Sequence, residues 1–425
     1  MSSDPVVTVQ PGADRVSLVV IAREWARIGC IGFGGPPAHI SLLRTLCVQR
    51  RGWLSADEFE DGIAATGLLP GPASTQLAIY CAWRMAGTAG AIVGGACFIV
   101  PGLIVILALS ALFLAAHPPL WVRGAAAGAG AAVPAVAVSA ALGLVPASWK
   151  RATGRAAAAD RQPASDGSGV RWLGYIVIGG VLGALAGPYL VLALAACGLI
   201  EMAVRMGIRT GTGALLPLAM PAVKAAPAAK TALAARAAPA ALTVTAATGG
   251  LLAVAWVAFK VGALSYGGGF VIIPLIQHDA VHTYHWMTGA QFLSAVALGQ
   301  VTPGPVVHTV AVVGYAAAGA GGGLLASAVA FAPSFAFVLA GASRFGSLRR
   351  NARVQAFLTG AGPAAIGAIA GSAVPLGLEL VHLWQAALLG LAVIWLIAFR
   401  RGVVAAILGA ACLGVVAALA GAPIG

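Results

Sequence analysis

Charge is what this chain has least of. Only 9% of its 425 residues are Asp, Glu, Lys or Arg, where a soluble globular protein carries about 25%, so a soluble fold is excluded at the outset. Cysteine is sparse and dispersed: Cys30, Cys47, Cys81, Cys97, Cys197 and Cys412 form no CxxC pair, which argues against a disulfide framework, a structural zinc or an iron-sulfur site. The opening MSSDPVVTVQPGAD has no basic segment ahead of an apolar one, so no cleaved signal peptide is expected. Enzyme motifs are missing too. GFGGPP and SYGGGF lack the Lys-Ser/Thr of a phosphate loop, and there is no HExxH, GxSxG or DFG; without a nucleophile-base pair, no enzyme is expected.

What is present is hydrophobicity: 60% of residues are apolar and the mean hydropathy is +0.95. Apolar runs lie near 16–34, 88–115, 120–146, 172–186 and 189–206, then near 243–267, 318–343, 352–375, 380–398 and 402–420. A spanning helix needs about 20 apolar residues, so an all-α polytopic membrane protein with about ten spans is expected, the short pair around Gly187-Pro188 crossing a thinned or shielded region. The formal charge of +13 would suggest nucleic acid in a soluble chain. Here it reads as topology: loops 44–51, 147–171, 205–236, 344–353 and 400–401 hold 19 of the 25 basic residues, and such loops stay in the cytoplasm.

The chain repeats itself. Trp53 and Trp286, Phe59 and Phe292, Gly29 and Gly262, Gly34-Gly35 and Gly267-Gly268, and Pro70-Gly71-Pro72 and Pro303-Gly304-Pro305 are all separated by 233 positions, without a gap from Arg27/Lys260 to Gln76/Thr309. The expected division is an N-terminal tail (1–15), a first repeat (16–207), a cytoplasmic linker (208–240) and a second repeat (241–425). Loop charge does not repeat: Arg44, Arg50 and Arg51 correspond to Gln277, Thr283 and Tyr284. Equivalent loops therefore face opposite sides, which an odd number of spans per half produces; this is the inverted-repeat plan of many secondary transporters. Segments 55–68 and 72–86, and 288–301 and 305–317, are then expected to be re-entrant hairpins with the Pro-Gly-Pro turns at their tips.

Irregular backbone at membrane depth is tolerated only beside protein or a water-filled cavity, so the breaks mark the expected site. Pro36 or Pro37, Pro72 and Pro305 are expected at first helical positions, leaving the N–H groups of Ala73, Ser74 and Thr75, and of Val306, Val307 and His308, to face an anion. Gly34, Gly35, Gly267, Gly268 and Gly269 let the backbone approach a ligand closely. Ser74, Thr75, Gln76, Thr302, His308 and Thr309 supply donors suited to a tetrahedral oxyanion, with Pro70, Gly71, Pro303 and Gly304 shaping the tips. Arg27 and Lys260, seven residues or about two turns before their glycine pairs, are expected to point towards the breaks, with Glu24 as a possible structural partner of Arg27. His39 either lines the site or caps a packed helix. The acidic set Asp57, Glu58, Glu60 and Asp61 reads as a solvated helix end facing Arg50 and Arg51, with proton coupling as the sharper alternative. His278, His282 and His285 have no counterpart in the other half and read as an exposed loop; no metal or other cofactor is expected.

The strings RIGCIGFGGPPAHI and GLLPGPASTQLAIY, with KVGALSYGGGFVIIPLI and ALGQVTPGPVVHTVAVVGY, resemble the paired signatures of the chromate ion transporter family in its long, two-domain form. The departures are mild: Cys81-Ala82 after the first tyrosine, and a long 147–171 loop. The resemblance implies export of chromate across the bacterial inner membrane, with sulfate as its structural analogue. The partners expected are chromate and its analogue sulfate, the lipid bilayer and a second copy in a homodimer, with no nucleic acid.

Overall fold

The computed structural model describes residues 16–153, 167–185, 189–207, 250–265, 271–341 and 351–424. Among these the regular structure is helical and contains no strand. The glycine break Gly267–Gly269, the Gly187-Pro188 hairpin and the whole of the expected linker (208–240) lie outside the described residues. Among the described residues five helices are long and apolar enough to cross a membrane, and four further apolar helices are shorter. Each expected run contains a helix over the residues described, and the chain is a multi-pass membrane protein.

The first half begins with α1 (Leu18–Ile31), α2 (Pro36–Arg44), a π-turn (Thr45–Arg50) and α3 (Ala56–Thr66). It continues through α4 (Ala73–Phe113), α5 (Leu120–Ala152), α6 (Ser168–Leu185) and α7 (Leu190–Arg205). The second half follows with α8 (Leu251–Leu264), α9 (Ile272–Gln277), a π-turn (His278–Thr283), α10 (Gly289–Val301) and α11 (Thr309–Gly341). It closes with α12 (Ala352–Leu378), α13 (Leu383–Val393) and α14 (Val403–Leu419).

Equivalent stretches take the same local form because they carry the same instructions. Ser55 with Glu58 and Thr288 with Gln291 form reciprocal capping boxes that start α3 and α10, each satisfying two donors that a helix start otherwise leaves open. Helices α4 and α11 both break at an Ala-Gly pair, Ala86-Gly87 and Ala318-Gly319, where the glycine has φ 62°. That left-handed conformation favours glycine. The segment before each break folds back on its hairpin partner: Gly62 of α3 lies against the Tyr80 ring of α4. Trp25, fully buried, ties α1 to α4 by donating from Nε1 to the Ala78 carbonyl at 2.9 Å.

The halves exchange helices. α5 packs against α13 and α14 of the second half, while α12 packs against α6 and α7 of the first. Small residues make both crossings possible, as in membrane helix pairs generally. On α5, Gly124 and Gly128 face Gly414, Ala410 and Ala418; on α6, Gly179 and Gly183 face Ala364 and Ala368, while Gly367 and Gly371 face Ile176 and Gly180. Backbone meets backbone at these points.

Candidate functional site

The two hairpin tips cross over to the opposite half. Gly71 donates its N–H to the Ser265 carbonyl at the end of α8, and Gly304 donates to the Gly32 carbonyl at the end of α1, 3.0 Å away. Ser265 and Gly32 are equivalent residues 233 positions apart, so the two bonds are one bond repeated. Both glycines need positive φ, 122° and 93°. The second part of each broken helix closes the tip from above: Gly102 of α4 packs on the Pro303 carbonyl and the His308 ring, and a Cβ on Gly71 would sit 3.1 Å from Ser334 Oγ of α11. Gly35, at φ 72°, faces Val306 beside the second tip.

Around these tips lie polar groups that no described residue satisfies. Among the described residues, eight buried side-chain N and O atoms have no hydrogen-bond partner, and seven of them are here: Thr75 Oγ1, Gln76 Oε1, Ser265 Oγ, Gln300 Nε2, both ring nitrogens of His308, and Ser334 Oγ. A buried polar atom without a partner costs about 1–3 kcal/mol, and such exceptions are rare enough to require an explanation. His308 is wholly buried, edge-on to Phe331 at 5.3 Å; the Ile99 carbonyl lies beside its ring without closing a hydrogen bond. His39 is equally buried but engaged. Its Nε2 lies 2.9 Å from the Gly32 carbonyl and its Nδ1 3.2 Å from Ser74 Oγ. A carbonyl only accepts, so Nε2 carries the proton and Nδ1 of the neutral ring accepts from Ser74. His39 thus links the first break to the helix behind the first tip.

Several of the residues named from the sequence lie around the tips: Gly35, His39, Gly71, Ser74, Thr75, Gln76, Gly304 and His308; Gly34 is exposed. Others differ. Pro36 opens α2, but Pro72 and Pro305 are the residues before their helices, with extended ψ of 100° and 133°. A proline's fixed φ suits that position as well as the first helical one. Pro303 is buried and Pro70 exposed. Of the expected backbone donors, the His308 N–H is taken by the Pro305 carbonyl at 2.9 Å in a single 3-10 turn. The side chains of Thr302 and Thr309 bond back to the carbonyls of Leu298 and Val306, both at 2.9 Å. Gly267, Gly268 and Gly269 lie outside the described residues.

The expectation for Arg27 and Lys260 is corrected. The buried face of α1 runs through Ile21, Glu24, Trp25, Ile28 and Gly29, and Arg27 is exposed on the other flank. Glu24 pairs with Arg51 at 2.9 Å and Arg23 at 3.4 Å, not with Arg27. Lys260 bonds Asp279 at 2.5 Å, tying α8 to the following π-turn. It also lies 5.8 Å from the Trp256 ring. Asp279 is buried, and removing one partner of such a pair strands the other charge at a cost of about 3–5 kcal/mol. Lys260→Gln should therefore lower the melting temperature of the detergent-purified protein, and adding Asp279→Asn should restore most of the loss, with flux per folded molecule close to wild type in the double variant. The acidic set also finds other partners than expected: Glu58 pairs with Arg84, and Glu60 with Arg44 at 2.9 Å.

Sequence reasoning missed Ser265, Ser334 and Gln300. The repeat held a signal for two of them: Ser265 is the counterpart of Gly32, and Ser334 follows Pro333 as Gly102 follows Pro101. Gln300 corresponds to Gly67 and carried none.

The flanks of the two hairpins are unequal. Glu60, Asp61, Ala64 and Pro70 of the first are exposed, while their counterparts Leu293, Ala297 and Pro303 are buried and Ser294 is half-buried. α10 lies on α5, with Ser294 Oγ donating to the Ala126 carbonyl at 3.4 Å. Between α5, α10 and the α12–α13 turn is a cavity of about 290 Å³ that reaches inward to Leu298 and Val312. It includes none of the tip residues.

Broken helices whose ends meet at an unsatisfied polar cluster, inside a multi-pass helical membrane protein, define the architecture of a membrane transporter. The comparisons with known proteins specify which. The chromate transporter family model matches residues 19–255 and again 252–415. The chain belongs to the chromate transporter family. It is 30% identical over 417 residues to the chromate transport protein of Cupriavidus metallidurans, covering 95% of this chain and 94% of that one. It is 28% identical over 397 residues to the probable chromate transport protein of Synechococcus elongatus, covering 92% and 91%. A chromate transport protein of Pseudomonas aeruginosa is 30% identical over 359 residues, covering 83% and 79%. No solved structure matches the chain at a significant level.

Proposed function

We propose that this protein is a secondary transporter that exports chromate across the bacterial inner membrane and so confers chromate resistance. The observation that carries the reading is the cluster of seven partnerless polar atoms at the crossed tips. Hydroxyl, amide and imidazole groups left without protein partners are suited to a tetrahedral dianion, which accepts several hydrogen bonds at once. The site proposed is Gly34, Gly35, Pro36, His39, Pro70, Gly71, Pro72, Ser74, Thr75, Gln76, Thr302, Pro303, Gly304, Pro305 and His308, with Gly267, Gly268 and Gly269 completing the second break. To these we add Ser265, Gln300 and Ser334.

The two halves, 16–207 and 241–425, are read as inverted repeats joined by a cytoplasmic linker at 208–240, with the N-terminus outside. In that orientation α3 descends from the cytoplasmic face and α10 from the outer one. The exposed flank of α3 and the covered flank of α10 then correspond to a state open inward, and closure of α12 over α3, as α5 covers α10, would give its outward counterpart. Moving one charge through 100 mV is worth about 2.3 kcal/mol, so a dianion leaving a negative interior gains roughly 4.6 kcal/mol, enough to drive efflux without a coupled ion.

Proteoliposomes loaded with labelled chromate test this. An inside-negative potential should accelerate efflux, sulfate should compete, and trans chromate should stimulate exchange. Accumulation driven only by a cation gradient would make the protein an uptake carrier, and conductance without exchange would make it a channel.

A further inference from the structure

We propose a binding site for one anionic phospholipid at the α13–α14 hairpin. An apolar groove of about 310 Å³ runs between these helices, lined by Leu391, Ile394, Trp395, Phe399, Gly409 and Leu413 among others. At one end the chain reverses between the π-turn Ile394–Ala398 and α14. Three hydrogen bonds hold the reversal: Phe399 N–H to the Ile394 carbonyl at 3.0 Å, Arg401 N–H to the Trp395 carbonyl at 3.1 Å, and Trp395 Nε1 to the Gly402 carbonyl at 3.4 Å. Arg400 occupies the reversal with φ 50°. A non-glycine residue in the left-handed region is uncommon, and such conformations cluster where function maintains them.

The reversal presents Arg400 and Arg401 side by side, both exposed, and neither guanidinium forms an ion pair with a described residue. Neither α13 nor α14 contains a carboxylate. Two uncompensated cations at the mouth of an apolar, membrane-facing groove match a molecule with a phosphate at one end and a hydrocarbon chain behind it. Basic positions at the ends of membrane helices attract anionic headgroups, and tryptophan belongs at that depth. A second copy of the chain would fill the groove equally well, but self-association there would bring four arginines together without a counter-ion. Charge complementarity therefore favours the lipid.

The test uses the full-length protein in neutral detergent, with phosphatidylglycerol, phosphatidylcholine or inorganic phosphate added in turn, followed by native mass spectrometry and thermal unfolding. Phosphatidylglycerol should be retained and should raise the midpoint. The double variant Arg400→Gln/Arg401→Gln should bind it at least about tenfold more weakly, since each lost cation near a lipid surface removes roughly a fivefold factor. Gly409→Leu adds a side chain where no atom stands within 4 Å of a new Cβ, and should weaken retention by filling the groove. Monodispersity and wild-type flux in both variants establish that they fold. The proposal is overturned if phosphatidylcholine is held as well as phosphatidylglycerol, or if inorganic phosphate alone gives the shift. Retention undiminished in the double variant, or a wild-type dimer that Gly409→Leu dissociates, would overturn it as well.

Discussion

Replacing His308 by leucine is expected to cut chromate flux by at least about tenfold and to make the protein more stable. The two effects have one source. His308 is wholly buried with both ring nitrogens unpartnered, and exchanging a partnerless buried polar group for an apolar one of similar bulk removes a desolvation cost of about 1–3 kcal/mol. Phe331 and Gly102 pack against the ring, and the ring forms no hydrogen bond that leucine would break. If the imidazole is held for the anion, its loss removes a charge-assisted hydrogen bond worth about 1.5–3 kcal/mol in ligand affinity, and flux falls by roughly tenfold to more than a hundredfold. Flux in proteoliposomes and thermal unfolding of the same preparation measure both. A variant that is inactive and also less stable would make His308 a structural residue and remove it from the site.

The largest effect on stability is expected at Gly179 and Gly367. A Cβ at either would collide with a backbone carbonyl, that of Ala364 or of Ile176, and a backbone atom cannot swing aside as a side-chain tip can. Relief requires separating α6 from α12 along the whole crossing. Overpacking in a close-packed interior costs about 1–3 kcal/mol where side chains can adjust; here the cost should reach or exceed the upper figure. Gly179→Leu or Gly367→Leu should therefore abolish recovery of monodisperse protein. Gly174→Leu is the control on the same helix, because no atom lies within 4 Å of the added Cβ, and it should leave yield and flux near wild type.

How much could be read beforehand depended on whether a feature is local. The Pro-Gly-Pro tips are written in contiguous residues, and each lies between two helices where the spacing placed it. Arg27 was misread for a geometric reason. Seven residues return a helix to nearly the same face, so Arg27 projects towards Gly34 only if one helix connects them. It does not: α1 ends at Ile31, and Gly34 and Gly35 take φ of 99° and 72°, so the facing direction is lost across the break. Ser265 and Ser334 reach the first tip from segments far along the chain, through a crossover that no local pattern encodes. The glycine pairs of α6 and α12 were visible as small-xxx-small spacings, but which helices they join depends on the exchange between halves.

That exchange bears on how the protein is made. The glycine face of α5 is covered by α14, which begins about 250 residues after α5 ends. At synthesis rates of roughly 5–20 residues per second, a nascent chain holds that face open for about 10–50 s after α5 has left the ribosome. α6 waits in the same way for α12. The first half is therefore in the membrane before its final partners exist, with the glycine faces of α5 and α6 not yet covered by α14 and α12. Two separately encoded halves could assemble only if both are present in the membrane together, since each supplies the surface that completes the other.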